Sequence, residues 1–122
     1  MENSINRLLA KIVKYIDDKF GQDIVVLDLE GISTLCDYFV ITSASSTPQI
    51  KAIADEITDG LEDHGVYLSH KEGYGGARWV LLDYGDIVVH VFHTKEREFY
   101  NLEGIWKDAQ RIDVDKLLKI NV

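Results

Sequence analysis

The sequence predicts a mixed α/β domain, a five-stranded mixed sheet carrying two long helices and short C-terminal helices. Three observations carry that prediction. Two segments, 5–16 and 50–61, place apolar residues at helical spacing. Residues 77–93 (ARWVLLDYGDIVVHVFH) read as two strands reversed at Tyr84, Gly85 and Asp86. The passage 38–70 reads strand, helix, strand, which predicts a parallel crossover.

In chain order, Ile5, Leu8, Leu9, Ile12, Val13 and Ile16 form one stripe of a helix over 4–18. Asn3 or Ser4 can cap its start, and Gly21 can end it. Residues 23–29 (DIVVLDL) form a first strand, and Glu30 and Gly31 turn the chain. Residues 38–43 (YFVITS) form a second. Ser45, Ser46, Thr47 and Pro48 then open a helix, with hydroxyl caps and a proline in the first turn. Ile50, Ile53, Ala54, Ile57 and Leu61 give its stripe, and His64-Gly65 stops it. A third strand is expected over 66–70, followed by a glycine-rich loop through Gly73, Gly75 and Gly76. After the hairpin, Thr94 is expected to cap a short helix to about Tyr100, with a further turn from Leu102 to Trp106. Asp113 caps a last turn with Leu117 and Leu118.

The hairpin sets the functional question. Along its first strand Ala77, Trp79, Leu81 and Asp83 share one face, and Arg78, Val80, Leu82 and Tyr84 the other. On the return strand Ile87, Val89, Val91 and His93 oppose Val88, His90 and Phe92. Neither face is polar, so both need cover. The two long helices cover one face. The short C-terminal helices cover only part of the other, leaving apolar surface around Trp79 and Leu81 for a partner or a second copy. Trp79 reads equally as a core residue and as an interface anchor.

At 122 residues the chain is one domain, 1–122, with 46% hydrophobic residues and no composition of disorder. The single cysteine, Cys36, fits a reducing compartment, and no signal or membrane-spanning run is present, which predicts the cytoplasm. The formal charge of −8 argues against autonomous nucleic-acid binding; it suits a basic protein partner, but taken alone it reads more simply as a charge that keeps the protein soluble.

Candidate chemistry is thin. His90 and His93 alternate onto opposite strand faces and cannot share a metal. Asp83 and Asp86 are ordinary turn formers beside Gly85. Asp37 reads as a backbone cap, and Cys36 as a buried inert thiol. Ser43 to Thr47 lies between a strand and a helix start, where a phosphate can rest, but it has no glycine and no following lysine. No catalytic residue, cofactor site or metal site is expected.

Several segments together resemble the ribosomal silencing factor family, also called Iojap-like. They are Asp37-Tyr-Phe-Val, Ser45-Ser46, Trp79-Val-Leu-Leu-Asp-Tyr-Gly-Asp86, Val88-Val-His-Val-Phe92, Arg97, Tyr100, Leu102-Glu103 and Trp106. The likeness runs from about Ile5 to Ala109. It implies a fold similar to the nucleotidyltransferases without their catalysis. The paired carboxylates that would hold magnesium are missing after Ser43-Ala44-Ser45-Ser46, and Ala44 stands where many members have glycine. The resemblance further implies a cytoplasmic translation repressor. It would bind the large ribosomal subunit through ribosomal protein L-fourteen and obstruct the small subunit in starved or stationary cells. The residues carried over for that contact are Trp79, Leu81, Asp83 and Tyr84, with Val91. The alternatives are a nucleotide-binding or nucleotidyltransferase-like enzyme using Ser45 and Ser46, and a large-subunit assembly factor using the same surface. A homodimer through the apolar patch is a further expectation.

Overall fold

The computed structural model describes residues 4–122. Asn3, one of the two expected caps of the first helix, lies outside them. The order is α1 (Ser4–Asp18), β1 (Gln22–Asp28), β2 (Tyr38–Ala44), α2 (Thr47–Asp63), β3 (His70–Glu72), β4 (Trp79–Asp83), β5 (Ile87–His93), α3 (Thr94–Tyr100), α4 (Leu102–Ile105), β6 (Gln110–Ile112) and α5 (Val114–Leu118). The strands form one mixed sheet in the order β3-β4-β5-β2-β1-β6. Among the described residues only β2 and β5 pair parallel; the other four pairings are antiparallel.

The sheet has six strands where five were expected. The sixth, β6, is three residues held by pairing with Val26, Leu27 and Asp28, too short to show a period of its own. The third strand is also displaced. Residues 66–70 do not form it; Val66 turns back to the Leu61 carbonyl, and β3 begins at His70. The chain leaving β2 through α2 therefore reaches the far edge of the sheet, and β2 takes β5 as its parallel neighbour.

Both long helices lie on one face. Leu9, Ile12, Val13 and Ile16 of α1 and Ile50, Ile53, Ile57 and Leu61 of α2 pack on Val26, Val40, Val80, Leu82, Val89 and Val91. Burying side chains of this size contributes about 1.5–3 kcal/mol each, and this layer carries most of the hydrophobic stabilisation. Ser46 caps α2, accepting from the Gln49 amide at 3.3 Å, with Pro48 in the first turn. α1 ends on Phe20, which takes the left-handed conformation (φ 62°), rather than on Gly21. Gly21 is required for another reason: a Cβ there would collide with Ile16 and with the Thr42 hydroxyl.

α5, expected over the opposite face, joins the helix layer instead, with Leu117 buried in the same core. Asp113 caps it as expected, accepting from the Asp115 amide. The cap of α3 is His93, whose Nδ1 accepts from the Lys95 amide; Thr94 is the first helical residue and donates to the Ala44 carbonyl at 3.2 Å.

Candidate functional site

The second sheet face is only partly covered. Leu27, Leu29, Cys36, Ile41 and Phe92 form a small core there, and Leu102, Trp106 and Ala109 from the α3–β6 segment pack on it. Arg97 of α3 anchors that cover. Its guanidinium donates to the Gln22 carbonyl (3.2 Å), to the Ser43 hydroxyl (3.1 Å) and to Glu103 Oε2 (3.3 Å). The cover stops short of the β4–β5 end. What remains open is a groove of about 320 Å³ lined by Ser33, Leu35, Cys36, Phe39, Leu81, Asp83, Val88, His90 and Trp106.

Leu81 and Val88 come from the hairpin, and Phe39 from β2. Register places them on one face, with Trp79 opposite Phe92, Leu81 opposite His90 and Phe39 beside Val88. Leu35, 89% exposed, stands on the loop between β1 and β2 as the apolar lip. An exposed leucine beside half-buried Leu81, Phe39 and Trp106 makes a continuous apolar surface.

The five carried-over residues divide. Leu81 and Asp83 line the groove. Trp79 stands beside it, half-buried, with its ring 4.8 Å from Phe92 and 4.7 Å from Tyr100. Its Nε1 donates to His90 Nδ1 at 3.1 Å. Trp79 is thus a supporting wall tied into the second core. Tyr84 and Val91 face the other way. Val91 is 0% exposed beneath the helices, so it offers a partner no surface. Tyr84 packs against the helix-side core, its hydroxyl sealed without a hydrogen-bond partner and its ionisation pushed up by burial. The alternation along each strand gives the two faces, but only the register Val80–Val91 shows that Val91 shares the face of Val80. Leu35, Phe39 and His90 were missed as groove residues. Leu35 sits in a loop without periodicity, and the β2–β5 pairing that brings in Phe39 joins segments separated by a helix.

His90 is 3% exposed, and burial lowers its pKa from the usual 6.5 to about 4, so it is neutral near pH 7. His93 points away as the α3 cap, as strand alternation predicts. Among the described residues no cluster of three or more His, Cys, Asp or Glu side chains could hold a metal ion. Cys36 is buried, and desolvation pushes its thiol pKa up, away from nucleophilic character. In the Ser43–Thr47 turn, the Ser43 hydroxyl is engaged by Arg97 and the Ser46 hydroxyl caps α2. Of the loop glycines, Gly73 is not a free hinge. It has φ 79°, and a Cβ there would strike the Trp79 carbonyl, whereas Gly75 and Gly76 face open space. No helix among the described residues is long and apolar enough to cross a membrane.

A six-stranded mixed sheet, with the two long helices on one side and an open apolar groove beside the short α3 and α4 on the other, defines a small α/β domain built around an exposed sheet face. A family model described as "ribosomal silencing factor during starvation" matches residues 2–121, and the chain belongs to that family. It is 52% identical over 99 residues to the ribosomal silencing factor of Bacillus subtilis, covering 81% of this chain and 84% of that one. It is 33% identical over 105 residues to the chloroplastic Iojap protein of Arabidopsis thaliana, covering 86% of this chain and 44% of that one. A crystal structure of a Chromobacterium violaceum protein superposes with a TM-score of 0.82 at 31% identity, covering 93% of this chain and 92% of that one.

Proposed function

We infer that this chain is a non-enzymatic, cytoplasmic translation repressor that acts by obstruction. Its open sheet face docks on ribosomal protein L-fourteen of the large ribosomal subunit, and its bulk then blocks small-subunit joining in starved or stationary cells. The observation that carries the reading is the groove at Leu35, Phe39, Leu81 and Trp106, an apolar surface that the α3–β6 segment leaves open. The family supports the ribosome as the target. The charge of −8 supports a basic protein as the contact, because complementary charge raises association rates. In free solution the same groove is available to a second copy of the chain.

Co-sedimentation with separated large and small subunits tests this. Leu81→Arg puts a charge into the groove from a half-buried site, without emptying a core position. The unaltered protein is expected to pellet with large subunits alone and to prevent their joining to small ones. The variant is expected to lose at least about tenfold in affinity, the size of one interface contact of about 1.4 kcal/mol. A folded Leu81→Arg protein that binds and blocks normally removes the groove from the mechanism.

A further inference from the structure

One residue lining the groove carries a polar atom with no partner. His90 lies in the middle of β5 and lines the groove, yet its Nε2 is sealed from solvent and makes no hydrogen bond. Its other nitrogen fixes what that atom must be. Trp79 Nε1 can only donate, so His90 Nδ1, at 3.1 Å, must accept. A neutral imidazole with an accepting Nδ1 carries its proton on Nε2. The orphan is therefore an N–H donor, held in one tautomer by Trp79. A donor left buried and unsatisfied is costly, and so calls for a reason. The Phe39 ring, 4.5 Å away and steeply inclined at 70°, is the nearest aromatic neighbour, and an aromatic face is only a weak acceptor.

We propose that His90 is the specificity-determining donor of the docking groove, its Nε2–H pairing with a neutral oxygen acceptor that a basic protein partner inserts between apolar side chains. This rests on the groove being the docking face. Charge selects the class of acceptor. Asp83 lines the same groove and the chain carries −8, so a carboxylate would meet like charge there. A backbone carbonyl, or an amide or hydroxyl oxygen, would not. Because Nε2 is covered in the free protein, an acceptor reaches it only if a covering side chain turns aside, and the half-buried Phe39, its ring centroid 4.5 Å from that of His90, is placed to do so. The arrangement favours an acceptor over a purely apolar intruder, which would leave the donor as unpaired as it is in the free protein.

The test uses the full chain with nitrogen-15-labelled histidine, titrated with purified ribosomal protein L-fourteen and followed by imidazole NMR. Affinities for large subunits are measured in parallel for the unaltered chain, His90→Phe and Leu81→Arg. The expected result is a protonated Nε2 in the free chain, whose proton moves downfield in the complex, with affinity about tenfold weaker for His90→Phe. If Leu81→Arg abolishes binding while the Nε2 proton stays put, docking stands and the donor role is overturned. If neither variant weakens binding and no histidine signal moves, the docking reading fails and this inference with it. Should His90→Phe not fold, the signal from the unaltered chain still decides.

Discussion

Replacing Trp79 by alanine is the change that the interface reading invites, and the structure predicts that it chiefly destabilises the protein. The indole stacks on Phe92 at 4.8 Å and meets Tyr100 at 4.7 Å. Truncating a fully buried tryptophan costs about 3–5 kcal/mol; at half-burial about 2–3 kcal/mol is expected. The change also deletes the donor to His90 Nδ1, leaving both nitrogens of a buried imidazole unpaired, for about 1–3 kcal/mol more. The sum, about 4 kcal/mol, is a large part of the stability of a domain this size, about 5–15 kcal/mol. Urea denaturation followed by far-UV circular dichroism measures it, with Trp79→Phe as the comparison that keeps the stack and loses only the hydrogen bond. The expected order is unaltered, then Trp79→Phe, then Trp79→Ala. A Trp79→Ala midpoint equal to that of the unaltered chain would refute the tie between Trp79, Phe92 and His90, and would return Trp79 to the role of a free surface anchor.

Three further outcomes are expected. The depressed pKa of His90, about 4 against the usual 6.5, means that the unfolded chain binds the extra proton first as pH falls. Its contribution is complete above about pH 6.5 and is lost as pH falls toward 4, by up to about 3 kcal/mol, and His90→Phe should flatten that part of a stability–pH curve. Gly73→Ala, at φ 79° and against the Trp79 carbonyl, should cost about 2 kcal/mol or more, while Gly75→Ala, facing open space, should lie within about 0.5 kcal/mol of the unaltered chain by thermal melts. Arg97→Met leaves the partly buried Glu103 without its counter-charge and should cost about 3 kcal/mol, with part recovered in the double variant with Glu103→Gln, as a double-mutant cycle would measure.

How much was legible depends on what held each segment together. α1 and α2 carry their own information, since an apolar stripe and caps such as Ser46 are local, and both helices fall where spacing put them. The hairpin is equally local, with Gly85 at φ 87° in its turn. β6 exists because β1 pairs with it, and His93 displaces Thr94 as the α3 cap because β5 runs straight into that helix. The groove was half legible. An under-covered face near Leu81 follows from counting apolar faces, and the structure leaves that part open. Its membership needed the register: the alternation of β4 and β5 taken separately cannot say whether Val91 sides with Trp79 or with Val80. The Trp79–His90 pair also depends on cross-strand geometry, since 11 residues separate the two in sequence.

The two borders of the sheet have a consequence of their own. β3 (His70–Glu72) and β6 (Gln110–Ile112) are each only three residues long and rich in polar and charged side chains, and β3 is exposed throughout. Such margins give another chain little backbone to zip onto. The molecule can therefore keep an oily hollow on its face without seeding ribbon-like polymers from its sides. Any companion must arrive face-on and be judged by side-chain shape, and need not be extended to fit.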